Sequence, residues 1–121
     1  MKGLITALLL FAAINSFAQA DTIKAKNAKK MINKAVIVKA VVAGSKLIEK
    51  DGKRTLILSL DKPYPKTPLQ VIFFNKALAD LNLQSLLDGK IIIVKGTVTL
   101  YNDKPQIIVS DVQHFTVLPD Q

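Results

Sequence analysis

The feature that most constrains the fold of this chain is a series of five β-type segments, each rich in β-branched residues and bounded by turn signals. They cover residues 35–50, 54–60, 69–74, 90–101 and 106–110. Asp51-Gly52 and Asn102-Asp103 predict tight hairpins between the first two and the last two segments. Between the second and third, Pro63, Pro65 and Pro68 predict an extended loop, because proline cannot donate a hydrogen bond to a central ladder.

A helical segment separates the third and fourth strands. Asn75 is a suitable N-cap, and Gly89 supplies a stop signal. The apolar stripe of this segment consists of Leu78, Leu81, Leu86 and Leu87. Asn82 can divide it into two short helices. A last apolar stretch, residues 114–118, is predicted to extend or follow the fifth strand after a break at Asp111.

Alternation in the second strand predicts which of its side chains face outward. Because successive side chains of a strand point to opposite sides, Leu56, Leu58 and Leu60 fall together and are expected to face the core. The outer face is then expected to carry Thr55, Ile57 and Ser59, beside Gln70 and Phe74 of the third strand.

Residues 1–20 have the layout of a secretory signal peptide cleaved before Asp21: Lys2, an apolar stretch, and the small-residue site Ala18-Gln19-Ala20. The apolar run is much shorter than the roughly 20 residues of a membrane-spanning helix, which disfavours an anchor. We therefore expect a protein of the periplasm or the extracellular space, with no stable membrane insertion after the signal is removed. The remaining 101 residues suit a single domain, and we expect a monomer.

The expected mature chain is cationic, with 16 basic and 9 acidic residues and a net charge of +7. Five of the lysines lie in a basic N-terminal segment, residues 21–34, in which a short helix is possible and residues 21–27 are expected to fray. A cationic exported protein favours anionic partners such as nucleic acid, lipid head groups or an acidic protein. Solubility alone explains the lysines equally well.

The sequence carries little that points to catalysis. It has no cysteine, which removes disulfides, thiol chemistry and cysteine metal sites. His114 has no companion at metal-ligand spacing, and Asp103 and Asp111 fit a turn and a strand end better than a carboxylate pair. Nucleophile-elbow and glycine-rich phosphate motifs are missing as well. We therefore predict a protein that is not an enzyme and needs no metal or cofactor.

Three strands, one helix and a two-stranded hairpin are the element order of the OB-fold. The chain resembles the nucleic-acid-binding OB-fold domains of the tRNA-anticodon and helicase type, in the stand-alone exported form found in bacteria. The resemblance rests on AKKMINKAVIV, LILSLDKPYPKTPLQVIFF and GKIIIVKGTVTLYNDKPQIIVSD, and covers nearly all of residues 28–118. The chain departs from the family at Asn33 and Ala40, where glycine is usual.

This resemblance implies a mainly β fold: a five-stranded Greek-key OB-fold barrel at residues 35–118, with one helix between strands three and four and a tail at 119–121. In OB-folds the face of strands two and three, with two flanking loops, binds oligonucleotides or oligosaccharides. The implied nucleic-acid-binding residues are Lys50, Lys53, Arg54, Tyr64, Lys66, Gln70, Tyr101 and Lys104.

Two functions remain open at this point. One is a binding module for single-stranded DNA or RNA, or for another polyanion. The other is a periplasmic adaptor that docks an exported protein partner and has no role with nucleic acid. Fold resemblance and charge favour the first, but a fold alone does not determine a function.

Overall fold

A computed structural model of the chain describes residues 20–81 and 86–119. Nearly all of the predicted signal peptide, the predicted division of the helix at Asn82 and the last two residues of the tail lie outside these ranges. Within them, no helix is both long enough and apolar enough to cross a membrane.

The described chain is mainly β. Its strands are β1 (Asp21–Ile23), β2 (Ala35–Lys50), β3 (Lys53–Leu60), β4 (Leu69–Phe74), β5 (Ile91–Tyr101), β6 (Lys104–Val109) and β7 (Phe115–Val117). One α-helix, α1 (Asn75–Leu81), follows β4, and 3-10 helices span Ala25–Met31 and Val112–His114. The strands predicted from the sequence correspond to β2 through β6, and the helix lies between the third and fourth of them as predicted.

The pairings of β2 through β6 return to the strand from which they start. Antiparallel pairs join β2 to β3 and β3 to β4, and a parallel pair joins β4 to β6. Antiparallel pairs then join β6 to β5 and β5 back to β2. The outer face of β3 and β4 is therefore framed by β2 on one side and by β6 on the other.

The described sheet has seven strands instead of the five predicted, because β1 and β7 add to it. β1 pairs in parallel with Val36–Val38, so its residues form a strand where a frayed end was expected. Three residues are too few to give a readable alternation, which is why the sequence did not indicate this strand. β7 follows a 3-10 turn capped by Asp111, whose carboxylate accepts a hydrogen bond from the Gln113 N–H at 2.9 Å, and pairs with β5.

Strand β2 pairs with two different strands because an irregularity divides it. Its first half pairs with β5, its second half pairs with β3, and the register shifts between Val42 and Gly44. Such a bulge inserts one residue and bends the strand. Even-numbered side chains such as Val38 point inward before the shift, whereas Gly44 and Lys46 lie on the outer face after it.

The core lies inside the circuit of strands and is entirely apolar. Leu56, Leu58 and Leu60 are buried, as the alternation of β3 predicts. Phe73 meets Phe115 edge to face, with ring centroids 4.9 Å apart, so β7 helps to close the core. The predicted leucine stripe is corrected at one position: Leu87 is buried, whereas Leu86 is 76% exposed.

Local backbone features explain the two tight turns and the close approach of β5 to β6. Asp51-Gly52 and Asn102-Asp103 both have positive φ at each residue, the conformation of a tight primed turn that matches the twist of the strands. Gly96 lies against the buried Ile107: a Cβ at this glycine would stand 2.6 Å from Ile107 Cγ2. Asn33, where the family usually has glycine, also has a positive φ of 66°.

Candidate functional site

A groove of about 660 Å³ lies on the outer face of β3 and β4. The proline-rich loop, residues 61–68, forms one part of its rim, and the turn between β5 and β6 forms another. The loop is anchored beside the sheet by Thr67, whose hydroxyl lies 2.9 Å from the Leu60 carbonyl oxygen and 2.8 Å from that of Leu69. The loop therefore stays beside the strands whose outer face it borders.

The floor of the groove has a polar end. Ser59 on β3, Gln70 on β4 and Gln106 on β6 are partners in register across the sheet, and all three line the groove. Ser59 is only 5% exposed, and the two glutamines are half-buried. This row presents hydroxyl and amide groups that can both donate and accept hydrogen bonds.

The next row of the floor is mainly apolar and contains one lysine. Lys46, Ile57 and Ile72 are partners in register, and all of them line the groove. Ile72 is buried to 6% exposure, yet it lies on the outer face, opposite to the core side chains Val71 and Phe73. The floor is therefore a continuous surface on which an apolar or aromatic group can rest.

A third row lies toward the β2–β3 hairpin. Ile48, Thr55 and Phe74 are partners across the sheet, and the Phe74 ring is 49% exposed. Together with the other two rows, it confirms the predicted outward placement of the alternating side chains of β3 and of Gln70 and Phe74.

Tyr64, Tyr101 and Lys104 form a contiguous cluster at the polar end. The Lys104 ammonium lies 4.4 Å from the centroid of the Tyr64 ring and donates to the Pro65 carbonyl oxygen at 3.4 Å. Tyr101 is the cross-strand partner of Lys104. Both tyrosine rings remain about two-thirds exposed, at 64% and 65%, so an incoming planar group can reach them.

Of the eight residues implied by the resemblance, the groove lining includes Tyr64, Gln70, Tyr101 and Lys104. The other four lie outside it. Lys50 and Lys53 face each other at the tip of the β2–β3 hairpin, and Lys66 is exposed in the proline-rich loop. That any of the eight binds nucleic acid stays a prediction.

The contacts of Arg54 lie outside the groove. Its guanidinium lies 3.4 Å from the Glu49 carboxylate, and its backbone N–H donates to the Asn75 side-chain oxygen at 2.6 Å. Alternation in β3 places Arg54 on the side of Leu56, opposite to Thr55 and the groove. Its side chain therefore points away from the face that it was expected to serve.

Sequence reasoning missed Lys46, Ile48, Ile72 and Gln106, which also line the groove. The two in β2 lie after the register shift, which reverses the inward and outward positions of that strand. No single-residue signal marks such a shift, although the glycine at position 44 is compatible with one. Gln106 and Ile72 could have been found by extending the alternation of Gln70 and Ile107 along their strands.

The electrostatics of the groove favour an anionic or neutral ligand. Lys46 and Lys104 line it, and none of the described residues that line it is acidic. The residues that the structure describes contain no group of three or more side chains able to hold a metal ion. The groove thus offers aromatic rings for stacking, amides for hydrogen bonds and two ammonium groups for ionic contacts with a ligand.

Comparison with known proteins finds similarity only at the level of structure. No protein-family model matches the chain, and no curated protein sequence matches it. A candidate nucleic acid-binding lipoprotein from Klebsiella pneumoniae matches with a TM-score of 0.51 and 17% identity, over 87% of this chain and 97% of that one. The yeast Stn1 and Ten1 structure matches with a TM-score of 0.58 and 13% identity, over 84% of this chain and 64% of that one.

A candidate aspartyl-tRNA synthetase from Leishmania major matches with a TM-score of 0.56 and 13% identity, over 85% of this chain but only 21% of that one. At these identities the likeness concerns the fold. The likeness confirms, at the level of the fold, the resemblance to OB-fold domains stated from the sequence.

Proposed function

We propose that this protein is an exported OB-fold module that binds single-stranded nucleic acid, or another polyanion, in the groove on β3 and β4. In this proposal the closed circuit of β2 through β6 is the five-stranded barrel of the OB-fold, with β1 and β7 as additions. The observation that carries the proposal is the groove itself, which lies on the barrel face that OB-folds use for oligonucleotides.

The chemistry of the groove supports a single strand over a duplex. An unpaired strand offers flat bases that stack on aromatic rings, and each such contact contributes about 1 to 3 kcal/mol. The exposed rings of Tyr64, Phe74 and Tyr101 can supply such contacts. Lys46 and Lys104 can neutralise phosphates along the same groove.

Export is supported by the signal-peptide layout of residues 1–20 and by the likeness to a protein named as a lipoprotein. In this setting the ligand is extracellular or periplasmic nucleic acid, or a polyanion of the cell surface. We propose a binding role without catalysis, since the sequence holds one histidine, no cysteine and no nucleophile motif.

The test is the binding of the protein to a fluorescently labelled single-stranded oligonucleotide, followed by anisotropy at two salt concentrations. We expect binding at low salt that weakens steeply as salt rises, because bound phosphates release counterions. A duplex of the same length is the control and should bind more weakly. Failure to bind the single strand even at low salt would remove this function.

The apolar side chains of the groove favour one alternative, an exported protein partner. Ile48, Ile57 and Phe74 give the groove an apolar wall that an extended peptide could cover. In that case, a partner purified together with the protein would remain bound when excess oligonucleotide is added. Its release by oligonucleotide would favour the nucleic-acid function instead.

A further inference from the structure

The polar end of the groove holds two side-chain amides that have no hydrogen-bond partner among the residues that the structure describes. Gln70 and Gln106 are register partners on β4 and β6, and neighbouring strands lie about 4.8 Å apart. Both side chains are half-buried, yet neither carboxamide makes a hydrogen bond to any other residue in the described ranges. Two unpaired amides therefore lie side by side on the floor of a groove.

The chemistry of a carboxamide limits what such a pair can recognise. Each one presents a donor and an acceptor next to each other. Phosphate oxygens only accept hydrogen bonds, so they leave the amide carbonyls unused. The edge of a nucleobase presents donors and acceptors side by side, and glutamine pairs with such an edge through two hydrogen bonds.

The surroundings of the pair fit a flat ring. Tyr64 and Tyr101 stand at the same end of the groove with their rings exposed. Ser59, beside Gln70 in register, adds a hydroxyl to the floor. A base whose edge meets the amides can thus lay its face against a tyrosine ring, with the ammonium of Lys104 close to its phosphate.

We propose that the polar end of the groove is a nucleobase subsite, in which Gln70 and Gln106 read the edge of one unpaired base. This inference rests on the proposed function and adds selectivity to it: the groove discriminates between bases at one position. The apolar row and Phe74 then hold neighbouring bases by stacking, without reading their identity.

The experiment compares oligo-dA, oligo-dC, oligo-dT and an abasic oligonucleotide of the same length, each titrated against the protein. We expect the affinities for the three homopolymers to span between about 5-fold and about 150-fold, the range that one amide–base contact supports. The double variant Gln70→Leu/Gln106→Leu should compress this span, because it removes both amides that read the edge of the base. Gln113→Leu is the matched control, since Gln113 is exposed and outside the groove lining.

The outcomes distinguish failure of the proposed subsite from failure of the proposed function on which it rests. Equal affinity for the homopolymers and the abasic strand would overturn the subsite and leave polyanion binding intact. A span that persists in the double variant would overturn the roles of Gln70 and Gln106. No binding to any strand would overturn the proposed function itself. A far-ultraviolet circular dichroism spectrum and a urea unfolding midpoint equal to those of the wild type show that the double variant is folded.

Discussion

The ammonium of Lys104 lies 4.4 Å from the centroid of the Tyr64 ring, so the β5–β6 turn and the proline-rich loop meet across one end of the groove. These residues are 40 positions apart in the sequence, and the contact places a cation against an aromatic ring. The Lys104 ammonium can bind a phosphate from this position, and a base can stack on the other side of the Tyr64 ring.

Lys104→Gln is expected to reduce the salt dependence of oligonucleotide binding. Loss of one phosphate contact on a single strand lowers the slope of log affinity against log salt by about 0.7. The measurement is anisotropy at several salt concentrations. Lys76→Gln on α1 is the control, because Lys76 is exposed, pairs with Asp80 and lies outside the groove lining. An unchanged slope for Lys104→Gln would show that this lysine meets no phosphate.

Tyr64→Leu is expected to weaken binding without changing that slope. The substitution removes a stacking surface of about 1 to 3 kcal/mol, equivalent to an affinity loss of about 5-fold to 150-fold, and no charge. The same titrations therefore distinguish it from Lys104→Gln. Wild-type affinity in this variant would mean that Tyr64 only supports the loop.

Gly96→Ala is expected to destabilise the fold by about 1 to 3 kcal/mol, the usual effect of overpacking a core. The new methyl group would stand 2.6 Å from Cγ2 of Ile107, which is fully buried and cannot move aside freely. Urea unfolding measures the change. Gly44→Ala is the matched control, because its nearest neighbour would be the Pro63 side chain at 3.9 Å. Equal stability of the two variants would contradict the close approach of β5 and β6.

Leu87→Ala is expected to lower the free energy of unfolding by about 2 to 5 kcal/mol, the range for a buried leucine. Leu86→Ala should change it by less than about 0.5 kcal/mol, because Leu86 is 76% exposed. Thermal or urea unfolding of the two variants compares them directly. Losses of similar size for the two variants would instead support the leucine stripe predicted from the sequence.

The sequence predicts a structural feature well when residues close together in the chain determine it. The Asp51-Gly52 and Asn102-Asp103 turns and the inward leucines of β3 follow from neighbouring residues, and the structure confirms them. Which of Leu86 and Leu87 is buried is a tertiary feature that spacing alone does not determine.

In the groove, too, some positions follow from local sequence and others depend on tertiary structure. Gln70 and Phe74 could be placed on the outer face from alternation alone. Lys46 could not, because the register shift after Val42 reverses the faces of β2. Alternation in β3 places Arg54 on the opposite face, where its guanidinium lies 3.4 Å from the Glu49 carboxylate, and its predicted role in binding nucleic acid stays a prediction.

The most direct test of the central claim is a map of backbone amide chemical shifts during titration with a single-stranded oligonucleotide. We predict shifts concentrated in β3, β4 and the rim around Tyr64 and Lys104. Lys39 on β2 and Lys95 on β5 lie outside the groove lining and should remain unshifted. Shifts centred on those lysines, or no shifts at low salt, would contradict the assignment of this groove as the binding site.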